Sequence, residues 1–356
     1  MGLPAINIIF KEVAATAIQR GERGIVALIL KEATVPAGNP ITVITPTDIP
    51  SGLSDANKEQ INLALMGYIK PPRKVIVYVL DDAATDYTEA QNYLETVRWD
   101  YIAVPGIQST ELSSFANWIK SLRDTKDIKV KAVLPNYAGD HEGIINFATQ
   151  QIVTATKTYT TAEYCSRIAG LLAGTPLTIS ATFAPLPEVI DCDHLTKSQL
   201  DDAINQGKFV LYNDGEKVKV ARAVNSLVTT TQDKGESFKK IKIVDVMDMI
   251  HDDIKKTAED NYIGKYANSY DNKCLLISAI QAYFDQLELD GILDRGKNSV
   301  GIDLEAQAAY LRSIGVDVDS MKEQEIKEAN TRDKVFLKAN IKILDAIEDI
   351  TLNVVI

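Results

Sequence analysis

Cysteine, histidine and tryptophan are scarce, with 3, 3 and 2 residues in a chain of 356. Cys165, Cys192 and Cys274 are odd in number and far apart, so they build neither a disulfide framework nor a paired metal motif. They fit reduced, partly buried thiols in a cytosol. No Gly-x-Ser-x-Gly elbow occurs, and no Gly-Lys-Ser or Gly-Lys-Thr, which excludes a Walker A phosphate cradle. No apolar run approaches the ~20 residues of a membrane helix. Basic excess is also missing: 38 Lys and Arg against 49 Asp and Glu give a net charge of −11. That balance, with no basic stripe, argues against a nucleic-acid partner. The start, Met1-Gly2-Leu3-Pro4-Ala5-Ile6, has no basic n-region and is not read as a secretory signal. A hydrophobic share of 46% and a charged share of 24% are ordinary for a globular chain.

The middle alternates strand and helix signals. Ser54 opens a helix with Ile61, Leu65 and Tyr68 on its apolar face, stopped by Pro71-Pro72. Val75 to Leu80 is a continuous β-branched run, the pattern of a strand buried on both faces. Thr88 is expected to cap the next helix, with Tyr93, Leu94 and Val97 inward. Tyr101 to Val104 is a second buried strand. A helix bearing Phe115, Trp118, Ile119 and Leu122 follows, then a third strand from Val130 to Leu134. This is a βαβ arrangement with a parallel sheet. Less regular signals follow: a strand at Gly143 to Phe147, a helix at Thr161 to Ala173 with Gly174 as its C′ glycine, and a capping box at Thr196 for a helix ended by Gly207. Phe209 to Tyr212 and Val218 to Val224 read as a hairpin through Asn213-Asp214-Gly215.

From Thr229 to Lys240 the composition turns polar and marks a boundary. Helices are expected over Val244–Asn261, Asp271–Asp290 and Asp303–Ser313, and a short one capped by Ser320. Then the period changes. Val335, Leu337, Ala339, Ile341 and Ile343 alternate with polar residues, a strand with one wet face. The fold class is therefore α/β (α+β overall), a central α/β layered domain with a largely parallel sheet plus an α+β carboxyl-terminal domain. The expected division is an α/β domain over 21–234 and an α+β domain over 235–349, with end segments 1–20 and 350–356; the family resemblance given below implies that these are an outer domain, an inner domain, an amino-terminal arm and a carboxyl-terminal arm strand.

Both ends are apolar and alternating. Ile6, Ile8 and Phe10 share one face at the start; Ile350, Leu352, Val354 and Ile356 share one at the finish. Unpaired strands of this kind are an aggregation hazard. The commoner solution is pairing within the same subunit. The alternative is donation to a neighbour's sheet.

Candidate chemistry is thin. Asp191-Cys192-Asp193-His194 contains metal-ligand types at no standard spacing. His251-Asp252-Asp253 lies on a helix where adjacent residues face apart. Cys165 falls within an apolar helical pattern and reads as a packed thiol. No catalytic residue, cofactor or metal is assigned. A cytosolic α/β enzyme, a hydrolase or nucleotide-using enzyme, remains the alternative. Its site would lie on strand-end loops at Asp81-Asp82 and at Asn136, Tyr137, Asp140 and His141.

Several segments in order resemble one family. They are Gly21-Glu22-Arg23-Gly24-Ile25-Val26-Ala27-Leu28-Ile29-Leu30-Lys31, Arg167 through Pro176 with Ser180-Ala181-Thr182, Val246 through Ile254, Asp260 through Lys265, and Val335 through Ala346. Together they resemble the tail sheath proteins of contractile phage tails, of the PBSX-like defective prophage or phage-tail-like bacteriocin type. The resemblance implies a non-enzymatic subunit that polymerises as rings or a helix around an inner tail tube. The sheath then contracts on a baseplate trigger and drives the tube through a target envelope. Implied partners are the subunit itself, the tube, the baseplate and the tail terminator, with no nucleic acid and no membrane insertion. Assembly would occur in the cytoplasm of a bacterial host, and the product would be the tail of a virion or related particle. The family's arms add strands to neighbours' carboxyl-terminal domains. Carried over, the arms are Ile6, Ile8 and Phe10, and Ile350, Leu352, Val354 and Ile356, and the acceptor strand is Val335, Leu337, Ala339, Ile341 and Ile343, beside Lys334, Lys338 and Lys342. Larger members have a subtilisin-like α/β part; with no catalytic Asp, His and Ser set here, only its architecture is carried over.

Overall fold

The computed structural model describes residues 17–355. Contacts divide them into two units, 21–249 with 345–355, and 250–344 with 17–20. The division falls inside a helix, 15 residues beyond the expected break at 234/235 (249 − 234). Residues 345–349, expected in the inner domain, belong with the first unit.

The first unit runs through β1 (Ile25–Glu32), β2 (Ile41–Val43), α1 (Asp55–Leu65), β3 (Lys74–Asp81), α2 (Thr88–Leu94), β4 (Tyr101–Ala103), α3 (Leu112–Asp124), β5 (Lys131–Pro135) and β6 (Ile144–Phe147). It continues with β7 (Ile152–Thr154), β8 (Thr158–Tyr159), α4 (Thr161–Ala173), β9 (Val189–Cys192), α5 (Lys197–Asn205), β10 (Lys208–Phe209), β11 (Leu211–Asn213) and β12 (Val218–Val220). Then α6 (Ile241–Asn261) leads into the second unit.

A seven-stranded sheet has the order β10-β6-β5-β4-β1-β3-β2. All its pairings are parallel except that of the edge strand β2. The run Ile25 to Leu30 lies at the centre between β3 and β4. Its alternate residues feed two cores. Val26, Leu28 and Leu30 pack with Ile61 of α1 and with Ile168 and Leu171 of α4. Ile25, Ala27 and Ile29 pack with Leu94 of α2 and with Phe115, Ile119 and Leu122 of α3. Burial on both faces is why this strand and β3 are continuously apolar.

Two glycines permit close backbone approaches, Gly170 of α4 to the end of α1 and Gly174 just past α4 to the loop that follows α1. A Cβ on Gly170 would overlap the Ala64 carbonyl oxygen, and one on Gly174 would overlap the Lys70 carbonyl oxygen. Gly174 has φ −86°, so it is not the left-handed C′ residue expected; the contact, not the dihedral, requires glycine. Other expectations shift slightly. Thr88 is the first residue of α2, and its N–H is capped by Asp86 Oδ1 at 2.8 Å. The expected hairpin divides at Val210: β10 joins the large sheet, and β11 pairs with β12.

The second unit contains the end of α6, then α7 (Tyr270–Leu289), β13 (Ser299–Ile302), α8 (Leu304–Ser313), α9 (Glu323–Glu328) and β14 (Leu337–Asn340). Ile280, Phe284 and Leu287 of α7 are buried, as are Ile292 and Leu293. Tyr283 donates to buried Asp253 at 2.7 Å. Ala308, Leu311 and Val318 form a smaller cluster with Ile326. The cap of α9 is Lys322, where Glu325 accepts from its N–H at 2.6 Å; Ser320 lies two residues too early for the cap expected there.

Candidate assembly surfaces

Residues 345–349 are tied to the first unit by charge. Asp345 pairs with Lys240. Glu348 Oε1 accepts from Ser180 Oγ at 2.8 Å and from Thr182 Oγ1 at 2.6 Å. Arg222 Nε lies 3.3 Å from Glu348 Oε2, and its Nη2 lies 2.6 Å from Asp349 Oδ2. The hydrogen bond to Asp349 raises the Arg222 pKa, aided by the charge of Glu348 and opposed by partial burial.

Past Asp349 the character changes. Residues 350–355 belong to no strand. Ile350 is 82% exposed, Leu352 80%, Val354 73% and Val355 96%. Pairing within the same subunit, the commoner solution by pattern, is not what the described part of this end adopts. Ile356, and Ile6, Ile8 and Phe10 of the other end, lie outside the described residues.

The alternating run near the carboxyl end forms a shorter strand than expected. β14 covers only Leu337–Asn340 and pairs antiparallel with β13. Ile343 makes one isolated bridge to Leu293. Val335, Ala339 and Ile341 are exposed, while Leu337 and Ile343 are half-buried. The expected buried face is uncovered because the described sheet has two strands. Such a ribbon is marginal alone and gains from a third strand. Lys338 and Lys342 beside it are exposed, and Lys334 stands 5.1 Å over the Tyr310 ring.

A buried charge network fastens the start of α6 to the sheet. Asp248 accepts from Arg123 Nη1 and Nη2, both at 2.9 Å, and pairs with Lys131. Lys131 also lies 2.8 Å from Asp245 Oδ1, which accepts from Tyr101 OH at 2.8 Å. Burial alone would raise the Asp248 carboxyl; Lys131 and Arg123 more than reverse this and hold it far below the ordinary carboxylate range. Burial and the neighbouring Asp245 charge push the Tyr101 phenol well up. The sequence sign of this network is Asp245 and Asp248 at i and i+3 on a largely apolar helical stretch.

The loop residues of the enzyme alternative make structural ties. Asp140 Oδ1 accepts from Val228 N at 2.7 Å and Thr229 N at 2.9 Å. Asn136 Oδ1 accepts from Gln150 Nε2 at 2.9 Å. Asp81 Oδ1 accepts from Ala83 N at 2.8 Å within its own turn. His141 Nδ1 accepts from Gly143 N at 2.9 Å, so the neutral ring carries its proton on Nε2, 3.2 Å from Asp124 Oδ2. Asp124, His141 and Glu142 place ligand-type atoms within 4.8 Å of one another. Lys234 already lies 2.9 Å from Glu142 Oε1, and Arg123 Nε 3.9 Å from it. Those cations offset part of the local negative charge and compete with a metal ion for Glu142. Asp191 and His194 pair at 3.1 Å on the surface. Cys165 is buried, and that burial pushes its thiol up; burial also raises Cys192, to about 12. Both are poor nucleophiles. Among the described residues no helix is long and apolar enough to cross a membrane.

Residues 83–226 match the family model of the phage tail sheath protein central domain, and residues 233–356 that of the phage tail sheath C-terminal domain. The tail sheath protein of Clostridium phage phiCD119 is 40% identical over 360 aligned residues, covering 99% of each chain. The chain belongs to the phage tail sheath family. The phage-like element PBSX protein XkdK of Bacillus subtilis is 36% identical over 177 residues, 48% of this sheath protein and 38% of XkdK. In fold, the sheath tail protein from Desulfitobacterium hafniense superposes with a TM-score of 0.71 at 21% identity, covering 84% of this chain and 94% of that one. The contracted helical sheath of the anti-feeding prophage gives a TM-score of 0.73 at 14% identity, covering 100% and 99%. This is a tail sheath protein, and none of these relatives supports the enzyme alternative.

Proposed function

We propose that this sheath protein assembles by strand donation and that the assembled sheath works by contraction. Ile350, Leu352, Val354 and Ile356 form the carboxyl-terminal arm, and Ile6, Ile8 and Phe10 the amino-terminal arm. Both add to the ribbon of a neighbouring copy around Val335, Leu337, Ala339, Ile341 and Ile343. The observation that carries this reading is an exposed apolar segment directly after a fixed anchor, in a chain whose β13–β14 ribbon has an uncovered apolar face. Backbone hydrogen bonds and burial of alternate side chains drive such strand addition.

The polymer encloses an inner tail tube and is bounded by baseplate and terminator proteins. It is assembled in a bacterial host's cytoplasm and released as part of a tail particle. Contraction re-packs the weak contacts between subunit bodies while the donated strands hold the mesh together. Its driving free energy is added burial, at about 25 cal/mol per Å² of apolar surface, with no nucleotide and no catalytic step.

The test is deletion of residues 350–356, followed by electron microscopy of concentrated protein. The full chain forms tubes; the deletion variant stays as compact particles with unchanged circular dichroism. Normal tubes from the variant overturn the reading.

A further inference from the structure

Phe183 has an unusual combination of properties. Its backbone lies at φ +58°, a costly conformation for a bulky residue. It is nonetheless 52% exposed, so burial of its ring does not account for the strain. The corner is held firmly: Phe183 N donates to Val220 O at 2.9 Å, and Val220 N to Ala184 O at 3.0 Å. The Tyr212 ring lies 6.0 Å away. Lys219 Nζ stands 5.2 Å from the Phe183 ring centre and 5.6 Å from that of Tyr212. The two aromatic side chains border an open groove of about 590 Å³, lined also by Leu200 and Ile204 of α5 and by Arg222 and Asp349.

Asp349 identifies the occupant. It is the last anchored of the described residues, it lines the groove, and the next residue begins the exposed apolar segment. Six extended residues reach about 20 Å, enough to lie along the groove without moving the anchor. A tethered segment competes at an effective concentration near millimolar, far above that of a second copy in dilute solution.

We infer that in the unassembled subunit Ile350–Val355 docks in cis against Phe183, Tyr212 and α5, and that the extended, exposed arrangement is the released one. Docking hides the apolar segment until a neighbour's strand competes for it, and so delays the first subunit–subunit contacts. The release step rests on the reading of this segment as a donated arm; the docking itself does not.

The experiment uses the full chain, kept monomeric by dilution, with a spin label on Asn205→Cys in a Cys274→Ser background; the remaining Cys165 and Cys192 are buried. Because Asn205 and Asp349 line the same groove, the tether alone gives some broadening, and the undocked reference is Phe183→Gly, which accepts the positive φ. Methyl signals of Ile350, Leu352 and Val354 are expected to broaden several-fold more in the full chain than in Phe183→Gly, independent of concentration, and the variant should shorten the lag before polymerisation with the circular dichroism unchanged. Equal broadening in the two proteins, or an excess that arises only when spin-labelled and isotope-labelled copies are mixed, overturns cis docking. Failure of the arm reading shows separately, as tubes formed by the chain lacking 350–356.

Discussion

The Asp349 carboxylate lies 2.6 Å from the Arg222 guanidinium, at the last point where the chain is held before its apolar end. With Glu348 on Ser180, Thr182 and Arg222, this contact makes a fixed exit rather than a frayed terminus. Arg222→Ala should loosen residues 345–349 while barely affecting the body. A part-exposed pair contributes about 0.2–1 kcal/mol, so the detached population of 345–349 should rise by about 1.4–5-fold, seen as lower backbone NMR order parameters there, with those of β1 and β3 unchanged. Equal order parameters in the variant would show that the exit is held by other contacts.

Asp248→Ala would leave Arg123 and Lys131 buried without their shared counter-ion. Breaking a buried network this way costs about 3–5 kcal/mol, measurable by denaturant melts. Removing Asp260, exposed and paired with Lys256 at 2.6 Å, is the control and should leave the midpoint in place. A small loss for Asp248→Ala would mean that water reaches the network.

At Gly170, helix propensity and packing oppose each other. Alanine is intrinsically better in a helix by about 1 kcal/mol, but its Cβ would overlap the Ala64 carbonyl. Overpacking costs about 1–3 kcal/mol, so Gly170→Ala should be net destabilising. A raised melting temperature would show that α1 and α4 can move apart freely.

His141 sets a pH dependence. Burial lowers its pKa below the ordinary 6.5, only partly offset by Glu142 and Asp124. The unfolded chain therefore takes up this proton more readily than the folded one. Its contribution to stability is complete above about pH 6.5 and falls as pH drops from there toward the lower folded value. Protonation of Nδ1 would also break the bond from Gly143 N. His141→Asn, which keeps an acceptor near that position, should flatten the stability profile between pH 5 and 7. Parallel profiles for the two proteins would remove His141 as the cause.

Much of the fold is local and therefore readable. The continuous apolar run of β3, the capping box at Thr196 and the Asn213-Asp214-Gly215 turn carry their own signals. β13 does not: Ser299–Ile302 becomes a strand only by pairing with residues about 40 positions later. Phe183 looks like any loop aromatic until its backbone is seen. Lys131 and Asp248 come together only in the fold, each balanced by partners more than 100 residues away in sequence. The tail exit joins Glu348 to Ser180 across 168 residues. The apolar character of the carboxyl end is plain in the sequence; the role of Glu348 and Asp349 in anchoring it is not.

The central place of β1 has a consequence in time. Ile25 pairs with Lys74 and Val26 with Tyr101, so the nearer partner follows 49 residues later (74 − 25) and the other 75 (101 − 26). At a synthesis rate of about 5–20 residues per second, the run Ile-Val-Ala-Leu-Ile-Leu waits about 2–10 s for its first neighbour and longer for its second. This fully buried run is thus left bare on the ribosome for seconds, and the yield of sheath in a cell should follow how well that interval is protected.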